Sequence, residues 1–281
     1  MPPLDYLLAR FIRRRLPSGI TSLLLRRGWI IKPGLETSDP RSAVERYARV
    51  LAQYGLSLEG KRVLDFGYGG YFGVGVELLR HGACHVVLCD PFARPDPLRN
   101  RLLLKEYGEF LKLDRGQVWP EPAHFTLLEK DVRQVQPGEL PPFDLVLSTS
   151  VYEHLDDPLG VTQALARLTH PQGAHLHFVD LRDHFFKYPF EMLCYAESTW
   201  RRWLNPTSNL NRYRLWDYRR AFESFFQQVT IEVLGRDEDA FRRVQHRVLP
   251  RFQSGDLAQD SVTLIQVFAR FPLGEVSIRD L

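Results

Sequence analysis

A chain of 281 residues with a formal charge of +3, 44% hydrophobic and 25% charged, has the composition of an ordinary globular protein. That balance excludes a low-complexity tract and gives no electrostatic case for nucleic acid, and no run of about 18 apolar residues is present to span a membrane. The three cysteines, Cys84, Cys89 and Cys194, lack metal-ligand spacing and fit a reducing, cytoplasmic setting.

Residues 1–34 carry Arg10, Arg13, Arg14, Arg15, Arg26, Arg27 and Lys32 against one acid, Asp5. Leu4, Leu7, Leu8, Phe11 and Ile12 fall at helical spacing, so a helix with one apolar and one basic face is expected. Such a helix either docks over a nucleotide site with its arginines solvated or makes weak peripheral contact with an inner membrane face. Charges interrupt its apolar run, which excludes a secretion signal. Asp39-Pro40 and then Val44, Tyr47, Val50, Leu51 and Tyr54 predict a second helix over 38–56.

The next stretch, RVLDFGYGGYFGVGVELLRHGACHVVLCD over 62–90, reads as strand, glycine turn, helix and strand, with Asp65 closing the first strand and Asp90 the second. This is half of a nucleotide-binding βαβ unit. Glycines let the backbone approach a ligand, and a helix start offers free N–H groups. A dinucleotide fingerprint fails here, because Phe72 stands where its third glycine belongs. Asp65, beside the turn, suits a ligand bearing a positive charge or amino group rather than a diphosphate.

Further along, 91–122 is a long crossover with a helix expected around 102–113. Strands follow at 125–128, 141–148, 174–180, 228–234 and 261–268, with a turn at Pro171-Gln172-Gly173 and a helix over 237–248. Between the fifth and sixth strands, residues 181–222 are rich in Trp, Tyr, Phe and Arg. A long connection at the carboxyl end of a parallel strand lies above the binding crevice, where an acceptor lid belongs.

D-x-G-x-G with an acid-tipped second strand, followed by FDLVLSTSVYEHLDDP at 143–158, resembles the class I S-adenosyl-L-methionine-dependent methyltransferases over about residues 40–270. The resemblance implies a doubly wound, Rossmann-like, seven-stranded, mostly parallel sheet whose last strand is antiparallel. It also implies an N-terminal helical extension over 1–58, a cofactor-binding domain over 59–281 and a lid over 181–222. By the same resemblance Asp65, Gly67, Tyr68 and Gly69 hold the methionine portion of S-adenosyl-L-methionine. Asp90 and Pro91 bind the ribose, Asp131 and Val132 the adenine, and Ser148 lines the crevice. Phe92 is either a platform for the adenine ring or core filler. The product is S-adenosyl-L-homocysteine. VDLRDHF, Trp200 and NRYRLWDYRRAFESFF look like a bacterial subgroup associated with surface-glycan or glycolipid synthesis, so a sugar, glycolipid or other metabolite is the expected acceptor, at O or N.

Methyl transfer needs alignment and an outlet for the acceptor's proton. His154, Asp180 and His184 are the catalytic candidates. Asp180, Asp183 and His184 could instead bind a divalent metal or cap a turn through backbone N–H groups; with an incomplete ligand shell, no metal site is assigned. Aromatics beside arginines in the lid would also suit a nucleic-acid base, yet no basic domain or N-P-P-Y motif accompanies them, and no nucleic-acid partner is expected. A non-catalytic scaffold on the same fold is the alternative function; it would not need Asp65, Asp90 and Asp131 together.

Overall fold

The computed structural model describes residues 3–15, 35–136, 138–185 and 187–274. The chain opens with helix α1 (Leu4–Arg15). The basic residues Arg26, Arg27 and Lys32 lie outside the described residues. Helix α2 (Pro40–Gln53) begins where Asp39 accepts a hydrogen bond from the Ser42 N–H and Pro40 presets the first turn. Its Val44, Tyr47, Val50 and Leu51 are buried, as their spacing predicts.

The central sheet then starts with β1 (Arg62–Phe66), α3 (Gly73–Arg80), β2 (His85–Cys89) and α4 (Pro97–Tyr107). The crossover departs from expectation at this point. The helix ends at Tyr107, and β3 (Leu111–Asp114) and β4 (Gln117–Pro120) pair as an antiparallel hairpin. Arg115 and Gly116 both have positive φ, the backbone of a tight two-residue hairpin turn, which no helix could contain.

After these come β5 (Phe125–Leu128), β6 (Phe143–Thr149), α5 (Pro158–Arg167) and β7 (Thr169–Asp180). The expected turn at Pro171–Gly173 is absorbed into β7 as an irregularity in its pairing with β6. Helix α6 (Leu215–Glu223), β8 (Phe226–Arg236), α7 (Glu238–Val244) and β9 (Val262–Pro272) complete the fold.

Strand order is β5-β2-β1-β6-β7-β9-β8, parallel except for β9, which runs antiparallel to both neighbours. This is the expected seven-stranded, doubly wound sheet. Order reverses between β1 and β6, so a crevice opens at the carboxyl ends of these two strands, where α/β sheets bind ligands. One face of the sheet packs under α2 and α3, the other under α5 and α6.

The aromatic stretch over 181–222 divides in two. Trp200, Leu204 and Leu210 form a separate apolar cluster with Phe190, Phe241 and Phe252, whereas Tyr218 and Phe222 of α6 pack into the sheet core. Helix α1 docks on the first half through Tyr6 and Arg10, both buried, while Leu4, Leu8 and Ile12 stay exposed. The arginine-bearing face therefore holds the helix: Arg10 pairs with Asp183, and Arg14 donates to the Asn205 carbonyl at 2.6 Å. Burying a large apolar side chain contributes about 1.5–3 kcal/mol. By that measure α2 is fastened to the core far more firmly than α1. No described helix is long and apolar enough to cross a membrane.

Candidate functional site

At the reversal point Asp65 is the penultimate residue of β1, and the chain leaves the strand through Gly67, Gly69 and Gly70, all at positive φ. A side chain at Gly67 is impossible without rearrangement: its Cβ would stand 2.3 Å from a Val151 methyl. Asp65 is 6% exposed, and its Oδ2 has no hydrogen-bond partner. Burial, with the charges of Glu36 and Asp90 nearby, pushes its carboxyl up to about 7. A buried carboxylate oxygen facing a glycine turn with nothing to bind is what a cationic ligand group would satisfy.

Asp90 follows β2 and braces the turn from the other side. Its Oδ2 accepts the Gly69 N–H at 3.2 Å, and its Oδ1 accepts those of Phe92 and Ala93 at 2.9 and 3.0 Å. Pro91 and Phe92 continue from it, and Phe92 is 95% exposed, which excludes core filler as its role. Tyr68 is buried beside Phe72 within the turn. Asp131 caps a short turn starting at Val132 and is held by Arg133, so its carboxyl sits below the usual range. Val132 is buried. Ser148 turns to the opposite face of β6, where its hydroxyl and the His177 Nδ1 lie 2.7 Å apart under Tyr152.

Two groups at this end escape a reading of motifs. Asn100, fully buried on α4, accepts the Phe72 N–H and donates to the Gly70 carbonyl, both at 2.9 Å. One amide thus pins the glycine turn from a helix about thirty residues away. Thr149, next to Ser148, faces α2 instead: its hydroxyl lies 2.7 Å from the Tyr47 hydroxyl and 3.1 Å from Arg46, which pairs with Glu36. An Asn mid-helix and a Thr at a strand tip carry no distinctive spacing; only the strand-end position of Thr149 was a signal.

The catalytic candidates sit at the ends of β6 and β7. His154 directs its Nδ1 to the Asn209 carbonyl at 2.8 Å, and Asn209 returns its amide to the His154 carbonyl at 2.9 Å. A carbonyl only accepts, so Nδ1 carries the proton and Nε2 is bare. The His184 ring lies 4.9 Å from that of His154, nearly edge-on. Burial lowers both imidazoles below the ordinary histidine range, His184 to about 3, so both are neutral at pH 7.

Asp180 is elsewhere engaged. It accepts the Arg182 backbone N–H and binds the Arg182 guanidinium through both oxygens. Asp183 likewise caps a turn through the Phe185 N–H and is held by Arg10 and by the Tyr6 hydroxyl at 2.5 Å. The Asp180–Asp183–His184 grouping is therefore not assembled: two members cap turns and bind arginines, and His184 joins His154.

A cleft of about 950 Å³ opens beside this end, lined by Arg14, Trp200, Asn205, Asn209, Arg212 and Asp217 among others. No residue of the glycine turn lines it, and Asn209 connects it to His154.

The model of a methyltransferase domain matches residues 39–239. No curated protein matches the chain. Among solved structures, it is similar to a Haemonchus contortus phosphoethanolamine N-methyltransferase in complex with phosphomonomethylethanolamine and S-adenosylhomocysteine, at 16% identity and a TM-score of 0.49, covering 97% of this chain and 62% of that one. An S-adenosylmethionine-dependent methyltransferase of Mesorhizobium loti aligns at 16% identity and a TM-score of 0.43 over 79% of this chain and 96% of its own. The [4+2]-cyclase SpnF aligns at 14% identity and 0.47 over 83% and 82%.

Proposed function

We propose that this chain, which belongs to the methyltransferase domain family, transfers a methyl group from S-adenosyl-L-methionine to an oxygen or nitrogen of a small-molecule acceptor, a sugar or glycolipid by preference. The observation that carries the reading is Asp65: a buried carboxylate with an unpartnered oxygen beside a glycine turn at the reversal point of the sheet. The donor set fits the cofactor, since a cationic amino group is what Asp65 lacks and the glycines leave the backbone bare.

When bound, S-adenosyl-L-methionine supplies an electrophilic methyl group on a sulfonium. Asp65 takes the amino group, with Gly67, Tyr68 and Gly69 around the methionine portion. Asp90 and Pro91 hold the ribose side, and Asp131 with Val132 the adenine, with Phe92 as a platform for its ring. Loss of the acceptor's proton falls to the neutral imidazoles, His154 through its bare Nε2 and His184 beside it. Asp180 fixes the loop after β7 through Arg182. Within the proposed lid over 181–222 Arg212 donates to the Met192 carbonyl and Arg214 to that of Leu181, and Arg214 also ties the segment to the core through the carbonyls of Asp260 and Val262. A glycolipid acceptor accords with the exposed Leu4, Leu8 and Ile12 on α1, which would meet a membrane face.

Calorimetric titration with S-adenosyl-L-methionine and S-adenosyl-L-homocysteine tests the reading. Micromolar binding of both is expected, falling sharply in Asp90→Ala. A folded protein that binds neither would overturn it in favour of a scaffold.

A further inference from the structure

Glu153, next to His154, has no part in the chemistry above, yet it is among the most demanding residues in the fold. It is 2% exposed, and neither of its carboxylate oxygens completes a well-formed hydrogen bond, although the Ser150 hydroxyl and the backbone N–H groups of Glu153 and Asp180 stand beside it. An uncompensated buried carboxylate costs several kcal/mol, so such a group persists where something else satisfies it. Around it, one ligand-capable atom from each of Glu153, His154 and His184 lies within 4.8 Å of the others. We propose that Glu153, His154 and His184 form a binding site for one divalent transition-metal ion of the zinc class, at the carboxyl ends of β6 and β7.

Four features carry it. Two imidazoles and one carboxylate are a common catalytic zinc set, three protein ligands with a fourth position left open. Ligands of a tetrahedral zinc ion stand roughly 3.3 Å apart, given bonds of about 2.0 Å. Modest side-chain rotations bring atoms already within 4.8 Å to that spacing. His154 is oriented as metal-bound histidines are, with its Nδ1–H on a backbone carbonyl and Nε2 presented. Asn209, which provides that carbonyl, is itself fixed by its side chain, which donates to the His154 carbonyl and accepts from the Asn205 amide, and holds a positive φ.

The surrounding charges suit a cation on balance. Asp180 lies near all three groups, and the charge of Arg10 is taken up by Asp183. Arg13 opposes, close enough to depress both imidazoles, and Arg10 acts on His184 in the same sense. An ion here would take the His154 Nε2 together with His184 and Glu153, and would polarise an acceptor hydroxyl placed on its open position. Binding of the ion does not depend on the methyltransferase reading.

The test uses tag-free full-length protein, stripped with a chelator and titrated with Zn²⁺ by calorimetry and with Co²⁺ by visible absorption. One equivalent of Zn²⁺ binding with a dissociation constant below about 1 µM is expected, with Co²⁺ giving the intense visible bands of a four- or five-coordinate centre. Glu153→Gln and His184→Asn should each weaken Zn²⁺ binding at least about 100-fold, with circular dichroism reporting whether each variant is folded. Arg13→Gln should tighten it a few-fold by removing a like charge. The wild-type titration stands even if a ligand variant does not fold. Absence of Zn²⁺ and Co²⁺ binding below about 100 µM, or stoichiometric binding that folded Glu153→Gln and His184→Asn both retain, overturns the site. Inorganic phosphate binding that Arg13→Gln weakens, without metal binding, would make it an anion pocket and overturns it equally. S-adenosyl-L-homocysteine binding that persists without metal binding would leave the methyltransferase reading intact and refute only this one.

Discussion

The glycine-turn end and the imidazole end of the crevice are built in opposite ways. At the first, Asp65, Gly67, Gly69 and Asp90 come from one stretch of 26 residues, all at or just past the carboxyl ends of β1 and β2. At the second, His154 depends on Asn209, 55 residues away, and meets His184 from another loop. The buried acids fall into two kinds that cut across the two ends. Asp183 has an arginine and a tyrosine, whereas Asp65 and Glu153 each leave carboxylate oxygen unpartnered. A structural acid is satisfied within the fold; an acid held in reserve for a ligand is not.

That contrast can be broken most directly at Asp65. Asp65→Asn should reduce S-adenosyl-L-homocysteine affinity by about 100-fold, as expected for losing a buried charge pair, in a calorimetric titration. The same change should stabilise the free protein at pH 8. The folded carboxyl keeps its proton to about 7, whereas an unfolded one loses it near 4, so the native state binds the extra proton between those limits. Stability of the wild type therefore falls as pH rises through that window. The substitution recovers about 2–4 kcal/mol above it, measurable as a higher unfolding midpoint in urea. By the same linkage, cofactor binding favours ionised Asp65, and affinity should fall about tenfold per unit as pH drops below 7. A flat profile would remove Asp65 from contact with the amino group.

Asn100→Leu asks whether the glycine turn needs its distant amide. It strands the Phe72 N–H and removes one donor from the Gly70 carbonyl, for an expected loss of about 2–3 kcal/mol in urea unfolding. Cofactor affinity should weaken with it, since the turn would lose its shape. The smallest effect belongs to the other end. Asn209→Ala keeps the backbone carbonyl that accepts from the His154 ring but removes the side-chain hydrogen bonds that fix it, so the ring loosens and methyl transfer should slow about 3- to 10-fold, the cost of a misoriented group, with S-adenosyl-L-homocysteine affinity unchanged. Equal loss of both would mean that the two ends are one mechanical unit.

Much of the first end was legible because it is a local code. An apolar run closing on an acid and breaking into glycine can be read residue by residue, and β1, β2, β5, β6, β8 and β9 each contain most of the run expected for them. The helix expected around 102–113 overlaps β3 because Leu111 and Leu113 continue an apolar pattern, while the Arg115–Gly116 turn is decided by backbone geometry. Ser148 and Thr149 illustrate the same limit: adjacent residues on a strand face opposite ways, and which one meets the crevice depends on register. The basic helix at the N-terminus was legible as amphipathic, but the face that docks is the one bearing Arg10 and Tyr6, because a buried Asp183 awaits them.

By itself, then, the order of residues determined the strands, the glycine turn and the acids at its edges, since those follow from side-chain periodicity and backbone freedom over a few neighbours. Tertiary structure alone decided that Asn100 pins the turn, that Asp180 and Asp183 are committed to arginines, and that Glu153, His154 and His184 converge. Most such meetings join distant residues, while Asp180 with Arg182 is local, and whether a buried polar group finds a partner is settled only when the packed chain brings one within about 3 Å.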